Sequence, residues 1–164
     1  MTDSELDVEG CLACDLNNGR QELPGGRIHT TAYWAVEHCI GPFGVGALIV
    51  KPLRHCLRVG DLTAEETAEL GPLLQRATST IEAIVEPDQV YVCLWSHAGW
   101  TPGHIHVVLQ PSWDKFGQQH DKPGPFLQVD MMRSGEAPPR DEVEAFAERA
   151  RQLLAQTPAI MSGA

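Results

Sequence analysis

The sequence predicts an α+β domain built on an antiparallel sheet. Three features carry that reading: short apolar runs of strand length, hairpin-like links between them, and two long stretches of helical periodicity, one central and one C-terminal. The 164 residues, 43% of them hydrophobic, suffice for one domain with a real core and are short for two. Residues 1–10 read as a flexible polar leader, 11–156 as a single domain and 157–164 as a flexible small-residue tail.

The elements follow in order. "CLACDLNNGRQELPGG" is rich in Gly and Asn and reads as irregular. "RIHTTAYWAVEHC" has the aromatic and β-branched character of one or two strands, the second near residues 33–39. After the loop "IGPFGVG", the run "GALIVKPL" (46–53) is almost continuously apolar and ends in a proline, as a central strand does. In "DLTAEETAEL", Thr63 stands three residues before Glu66, the spacing at which each side chain satisfies an orphan amide at a helix start. From there Leu70, Leu73, Leu74, Ala77, Ile81, Ile84 and Val85 keep a 3.6-residue period, and Gly71 and Pro72 inside it predict a kink. "QVYVCLWSH" (89–97) reads as a strand; beyond the turn "AGWTPG", "HIHVVLQP" reads as another, opened by His104. Residues 112–139 show no period and read as an extended segment wrapping the core. "RDEVEAFAERARQLL" sets Val143, Phe146, Ala147, Ala150, Leu153 and Leu154 on one face of a packing helix.

Charge narrows the partners. A net charge of −10 with no basic run repels nucleic-acid polymers, so an anionic ligand has to be held locally. The acidic start "MTDSELDVEG" lacks the positive region of a signal peptide, and no apolar stretch approaches a membrane span, which predicts a cytoplasmic protein. Five cysteines in such a chain point to metal binding or burial rather than a disulfide framework.

Chemistry begins with Cys11 and Cys14 in "CLAC", a spacing shared by zinc half-sites, redox pairs and chance. The pair precedes every predicted strand, unlike a thioredoxin-type motif, and that favours zinc. Two further ligands would come from His29, His38, His55, His97, His104, His106 and His120, or from Cys39, Cys56 and Cys93; His55 and His104, each at a strand end, are plausible without being unique. His104 and His106 share one strand face about 6.5–7 Å apart, with Val108 and Gln110 continuing that face and Ile105, Val107 and Leu109 turned to the core. A single histidine beside an apolar face is ordinarily a hydrogen-bonded core residue; two in register, next to Thr101 and a Gly-containing turn, weaken that explanation.

These residues resemble the histidine triad (HIT) superfamily. "HIHVVLQP" is similar to its signature strand His-φ-His-φ-His-φ-φ, with the third His replaced by Val108. "GALIVKPLRHCLRVGDLTAEE" resembles the segment between that family's central strand and long helix, "CLAC" its N-terminal zinc half-site, and "SHAGWTPGH" the loop before the triad, in the same order over roughly residues 11–113. The resemblance implies a HIT-like fold, an antiparallel sheet with one long helix and a C-terminal helix. It implies structural Zn2+ on Cys11, Cys14, His55 and His104, as in the zinc-binding branch and the related uridylyltransferases. It makes His106 the nucleophile that takes up a nucleotidyl group, a role suited to a neutral imidazole whose other nitrogen is oriented by a carbonyl. Thr101 matches the Ser/Thr that binds phosphate, and Gln110, Trp100 and Ser96 complete the expected substrate contacts.

Two departures qualify the transfer. Val108 offers neither hydrogen bond nor proton, although the uridylyltransferases also manage without a third His. The ribose-binding Asp or Asn near the end of the second strand is not evident, its register falling at Glu37 to Cys39. Trp34, Trp95 and Trp113 read as packing residues, Cys39, Cys56 and Cys93 as small buried hydrophobes, and His97 and His120 as surface histidines. The implied activity is hydrolysis or transfer of a nucleoside monophosphate moiety from a dinucleoside polyphosphate or a related phosphoanhydride or phosphoramidate, by a homodimer. The alternatives are a uridylyltransferase-like transferase, a nucleotide-binding protein without turnover, and a zinc-stabilised interaction domain.

Overall fold

Side-chain alternation decides how the sheet is used. In the computed structural model, which describes residues 7–96, 99, 102–113 and 124–156, the chain forms helix α1 (Leu12–Asn17), strands β1 (Arg27–Thr30), β2 (Trp34–His38) and β3 (Leu48–Pro52), helix α2 (Ala64–Val85), strands β4 (Gln89–Trp95) and β5 (His106–Ser112), and helices α3 (Pro125–Ser134) and α4 (Arg140–Gln156). The strands pair antiparallel in the order β1-β2-β3-β5-β4. Trp34, Val36, Leu48, Val50, Val107 and Leu109 pack on Leu73, Ala77 and Ile81 of α2 and on Phe146, Ala147, Ala150 and Leu154 of α4. The intervening residues Glu37, Ile49, Lys51, His106 and Val108 are thereby turned to the opposite face. The core lies on one side of the sheet and the chemistry on the other.

The α2 start is as expected. Glu66 N–H donates to Thr63 Oγ1 at 3.2 Å, and Thr63 N–H donates to Glu66 Oε2 at 2.7 Å. Trp34 then donates its indole N–H to the Glu66 carbonyl at 2.9 Å, tying that helix end to β2. The helix continues unbroken through Gly71 and Pro72, both exposed, so the carbonyl left without a proline N–H faces the solvated side.

Three expectations need correction. The segment 112–139 contains helix α3, whose Leu127, Gln128 and Met131 are buried. Its period is hard to see because Pro125 and Gly135 bound only ten residues and exposed Phe126, Val129 and Met132 blur the apolar face. "CLAC" is not irregular: Cys11 is the N-cap of α1 and Cys14 lies in its first turn. Lastly, β5 begins at His106, so His104 sits two residues before the strand rather than opening it.

Among the described residues no helix is long and apolar enough to cross a membrane.

Candidate metal centre and active site

Four side chains converge where α1, the loop after β3 and the approach to β5 meet. The donor atoms of Cys11, Cys14, His55 and His104 all lie within 4.8 Å of one another. Cys11 Sγ is 3.5 Å and Cys14 Sγ 3.8 Å from His104 Nδ1, and Cys14 Sγ is 3.4 Å from His55 Nδ1. A tetrahedral zinc with bonds of about 2.3 Å to sulfur and about 2.0–2.1 Å to nitrogen sets its ligand atoms about 3.3–3.8 Å apart, so the donors present fit that ion. The remaining nitrogen of His104, Nε2, lies 3.2 Å from the Pro52 carbonyl; donation there makes Nδ1 the coordinating nitrogen. Burial, helped by His55, pushes the His104 pKa down to about 4, so the imidazole is neutral and fit to coordinate. Burial pushes the Cys14 thiol the other way, up to about 11. This is a structural zinc site: all four places are filled by protein donors, and three are buried.

Two residues later the strand presents His106. Its Nδ1 lies 3.1 Å from the His104 carbonyl, which accepts the ring N–H and makes Nε2 the nitrogen carrying the lone pair. The half-buried ring lines a cavity of about 630 Å³ on the sheet face away from the core. Leu12 and Leu16 of α1, Ile40 and Phe43 after β2, and Val129 and Met132 of α3 supply its apolar walls. Gln128, 3% exposed, also lines it, and its Nε2 has no hydrogen-bond partner among the described residues.

The floor carries charge that the sequence reading missed. Lys51, inside the apolar run "GALIVKPL", is 1% exposed and its ammonium is bonded to the carboxylate of Glu37, itself 2% exposed. Arg27 Nε stands 3.4 Å from the other oxygen of Glu37. Burial pushes the Lys51 pKa below its ordinary value, and Glu37 opposes that. Only the cross-strand register brings Arg27, Glu37 and Lys51 together; no local spacing announces it.

Of the expected substrate contacts, Thr101 and Trp100 lie outside the described residues, as do His97 and His120. Gln110 is fully buried and its amide nitrogen donates at 2.9 Å to both the Phe43 and Pro111 carbonyls, so it secures the loop between β2 and β3. Exposed Ser96 donates to the Leu57 carbonyl at 2.6 Å. Val108 lines the cavity at the third triad position.

No family model matches the chain, and no curated protein does either. Solved structures do. It is similar to a HIT-like protein involved in cell-cycle regulation from Bartonella henselae, at 13% identity and TM-score 0.64 over 90% of this chain and 98% of that one. A zinc-bound histidine triad family protein from Mycobacterium smegmatis is 21% identical, with TM-score 0.63 over 90% and 94%. A hypothetical histidine triad nucleotide-binding protein from Sulfolobus tokodaii is 18% identical, with TM-score 0.64 over 88% and 92%. The fold is that of histidine triad proteins.

Proposed function

We propose that this chain, having the histidine triad fold, is a nucleotide hydrolase or nucleotidyltransferase acting on a dinucleoside polyphosphate or a related nucleoside phosphoanhydride or phosphoramidate. The observation that carries the reading is the orientation of His106: Nδ1–H is held by the His104 carbonyl, so the nucleophilic Nε2 belongs to a ring lining a cavity of nucleotide size. His106 attacks the α-phosphorus, a P–N bond forms, and the bond from phosphorus to the leaving group breaks. Water then attacks the nucleotidyl-histidine, releasing the nucleoside monophosphate and regenerating the imidazole; in a transferase an acceptor phosphate replaces water. The apolar walls suit a base, with Gln128 offering it one hydrogen bond. Thr101 is assigned to the phosphate, with Trp100 and exposed Ser96 kept as further substrate contacts, as the family resemblance implies. Zinc on Cys11, Cys14, His55 and His104 supplies a rigid cross-link that holds the approach to β5, and hence His106, in place.

The test is to incubate the zinc-loaded chain with a panel of dinucleoside polyphosphates and nucleoside phosphoramidates, with acid quench to trap phosphohistidine. His106→Ala should lower turnover at least about a thousandfold with zinc content unchanged. Full activity in that variant removes the nucleophile. Val108, which carries no proton, favours one second reading, a nucleotide-binding protein without turnover. Titration calorimetry showing binding with no product would establish it.

Assembly is proposed to be a homodimer joined at the sheet edge, where β4 is outermost and Val92 and Leu94 are exposed. Light scattering should then give about twice the 17.9 kDa chain mass.

A further inference from the structure

We infer that Lys51 is the anion-receiving residue of this site, holding the substrate's α-phosphate beside His106 from the neighbouring strand. The inference rests on the proposed function and assigns a residue that the histidine pattern does not contain. Four observations lead to it.

Position is the first. The β3–β5 ladder runs Leu48↔Leu109, Ile49↔Val108, Val50↔Val107; one further step sets Lys51 opposite His106, on the same face. Residues so placed have Cβ atoms about 4.5–5.5 Å apart. Lys51 and His106 line the same cavity, and Lys51 is the lone Lys or Arg among the described residues that do.

Charge is the second. Arg27, Glu37 and Lys51 form a row across the sheet with one carboxylate between two cations, a surplus of one positive charge. The zinc cluster does not cancel it, because a divalent ion with two thiolates and two neutral imidazoles is itself neutral. In a chain of net charge −10, this row is a local positive field at the cavity floor.

Donor capacity is the third. An ammonium has three N–H donors, and Glu37 takes one at Lys51. The carboxylate orients the ammonium and leaves donors for phosphate oxygens.

Stability gives no reason for the pair, which is the fourth point. A buried Lys–Glu pair gains about as much from attraction as it loses in dehydration, and two apolar residues of similar volume would hold the sheet as well or better. Burying Lys51 in a strand of Leu, Ile and Val is accounted for by a ligand that needs it. Val108 removes a hydrogen bonder from the strand next door, and Lys51 supplies one across the ladder.

The experiment compares charge-dependent with charge-independent binding on the full, zinc-loaded chain. A nucleoside and its 5′-monophosphate, with the base that the wild type binds best among the four common ones, are titrated calorimetrically into the wild type and into the double variant Glu37→Met with Lys51→Met. Removing Lys51 and Glu37 together avoids stranding either charge of the buried pair, and Arg27, a quarter exposed, keeps its charge in water; the variant thus deletes the ammonium donors beside His106, and melting temperature and zinc content verify the fold. Monophosphate affinity should fall about tenfold to a hundredfold while nucleoside affinity changes less than about twofold. In the wild type, the Lys51 ammonium resonance should shift on adding the monophosphate and stay in place on adding the nucleoside, a readout that needs no variant. Unchanged monophosphate affinity in the folded double variant, or an unmoved Lys51 resonance in the nucleotide-bound wild type, overturns the assignment and leaves the proposed function standing. A wild type that binds neither molecule overturns both.

Discussion

At the scale of single residues, the imidazoles set an acid limit on the fold. Burial is the main cause lowering the pKa values of His29, His38, His55 and His104, the last to about 4. His38 shows the structural reason: its Nδ1 lies 2.9 Å from the Cys39 carbonyl, and its Nε2 accepts the Gly46 N–H at 3.0 Å, so protonation would remove an acceptor. The unfolded chain binds protons at an ordinary histidine value of about 6.5 while the folded one refuses them, so this stability is fully present above that value. It is lost as pH falls toward about 4, the His104 value. His104 alone should account for a loss of about 2 kcal/mol between pH 7 and pH 5. Urea unfolding of the chelated protein at both values measures it, and His104→Asn should flatten the slope; equal stability at pH 5 and pH 7 would contradict this. Much of the site was legible here: C-x-x-C and H-x-H are local spacings, the first spanned by one helical turn of α1 and the second by the residues that lead into β5. Lys51 and Glu37 were not, because their partnership exists only across β2 and β3, and in the sequence Lys51 merely interrupts an apolar run.

Among the elements, α2 shows how one side chain can link a helix start to the metal site. Glu66 closes the capping box with Thr63 and also receives Arg54 through both carboxylate oxygens, at 2.6 and 2.8 Å. Arg54 immediately precedes the ligand His55, so the α2 N-terminus anchors the loop that delivers this ligand. Thr63→Ala should cost about 1 kcal/mol, the usual value of a cap, with zinc retention unaffected. Glu66→Ala should cost about 2–3 kcal/mol, since it strands a half-buried guanidinium as well as opening the cap, and it should weaken zinc retention in a competition with chelator. If the two variants behave alike, the Arg54 link carries nothing. The capping spacing was readable because it is local and has few competing explanations. Helix α3 was hidden for the opposite reason: with only ten residues from Pro125 to Ser134 and its exposed Phe126, Val129 and Met132, it has little internal pattern and is defined by the sheet face it covers.

For the whole molecule, the zinc cluster joins places far apart in the chain: Cys11 to His104 across 93 positions, Cys14 to His104 across 90, and Cys14 to His55 across 41. The helices α2 and α4 bury the other side of the sheet, and α2 reaches toward this junction through the Glu66–Arg54 pair, so the core and the metal secure opposite faces. Removing the metal should therefore loosen the cavity side first while the α2–α4 core persists. Without the ion, protons return to the thiols, Cys14 above all, whose burial holds it protonated to about pH 11; zinc retention must accordingly fall as pH falls, because each proton competes for a ligand. Chelation should cost about 3 kcal/mol, which for a chain of this length lowers the melting temperature by about 10 °C. Hydrogen exchange locates the loss: amides of α1, residues 53–58 and residues 102–106 should lose protection before those of α2 and α4. Cys14→Ser should reproduce that pattern without chelator. A chelated protein that melts at the temperature of the loaded one, with unchanged protection near His104, would show that side-chain packing alone assembles the cluster and that His106 owes its position to the sheet.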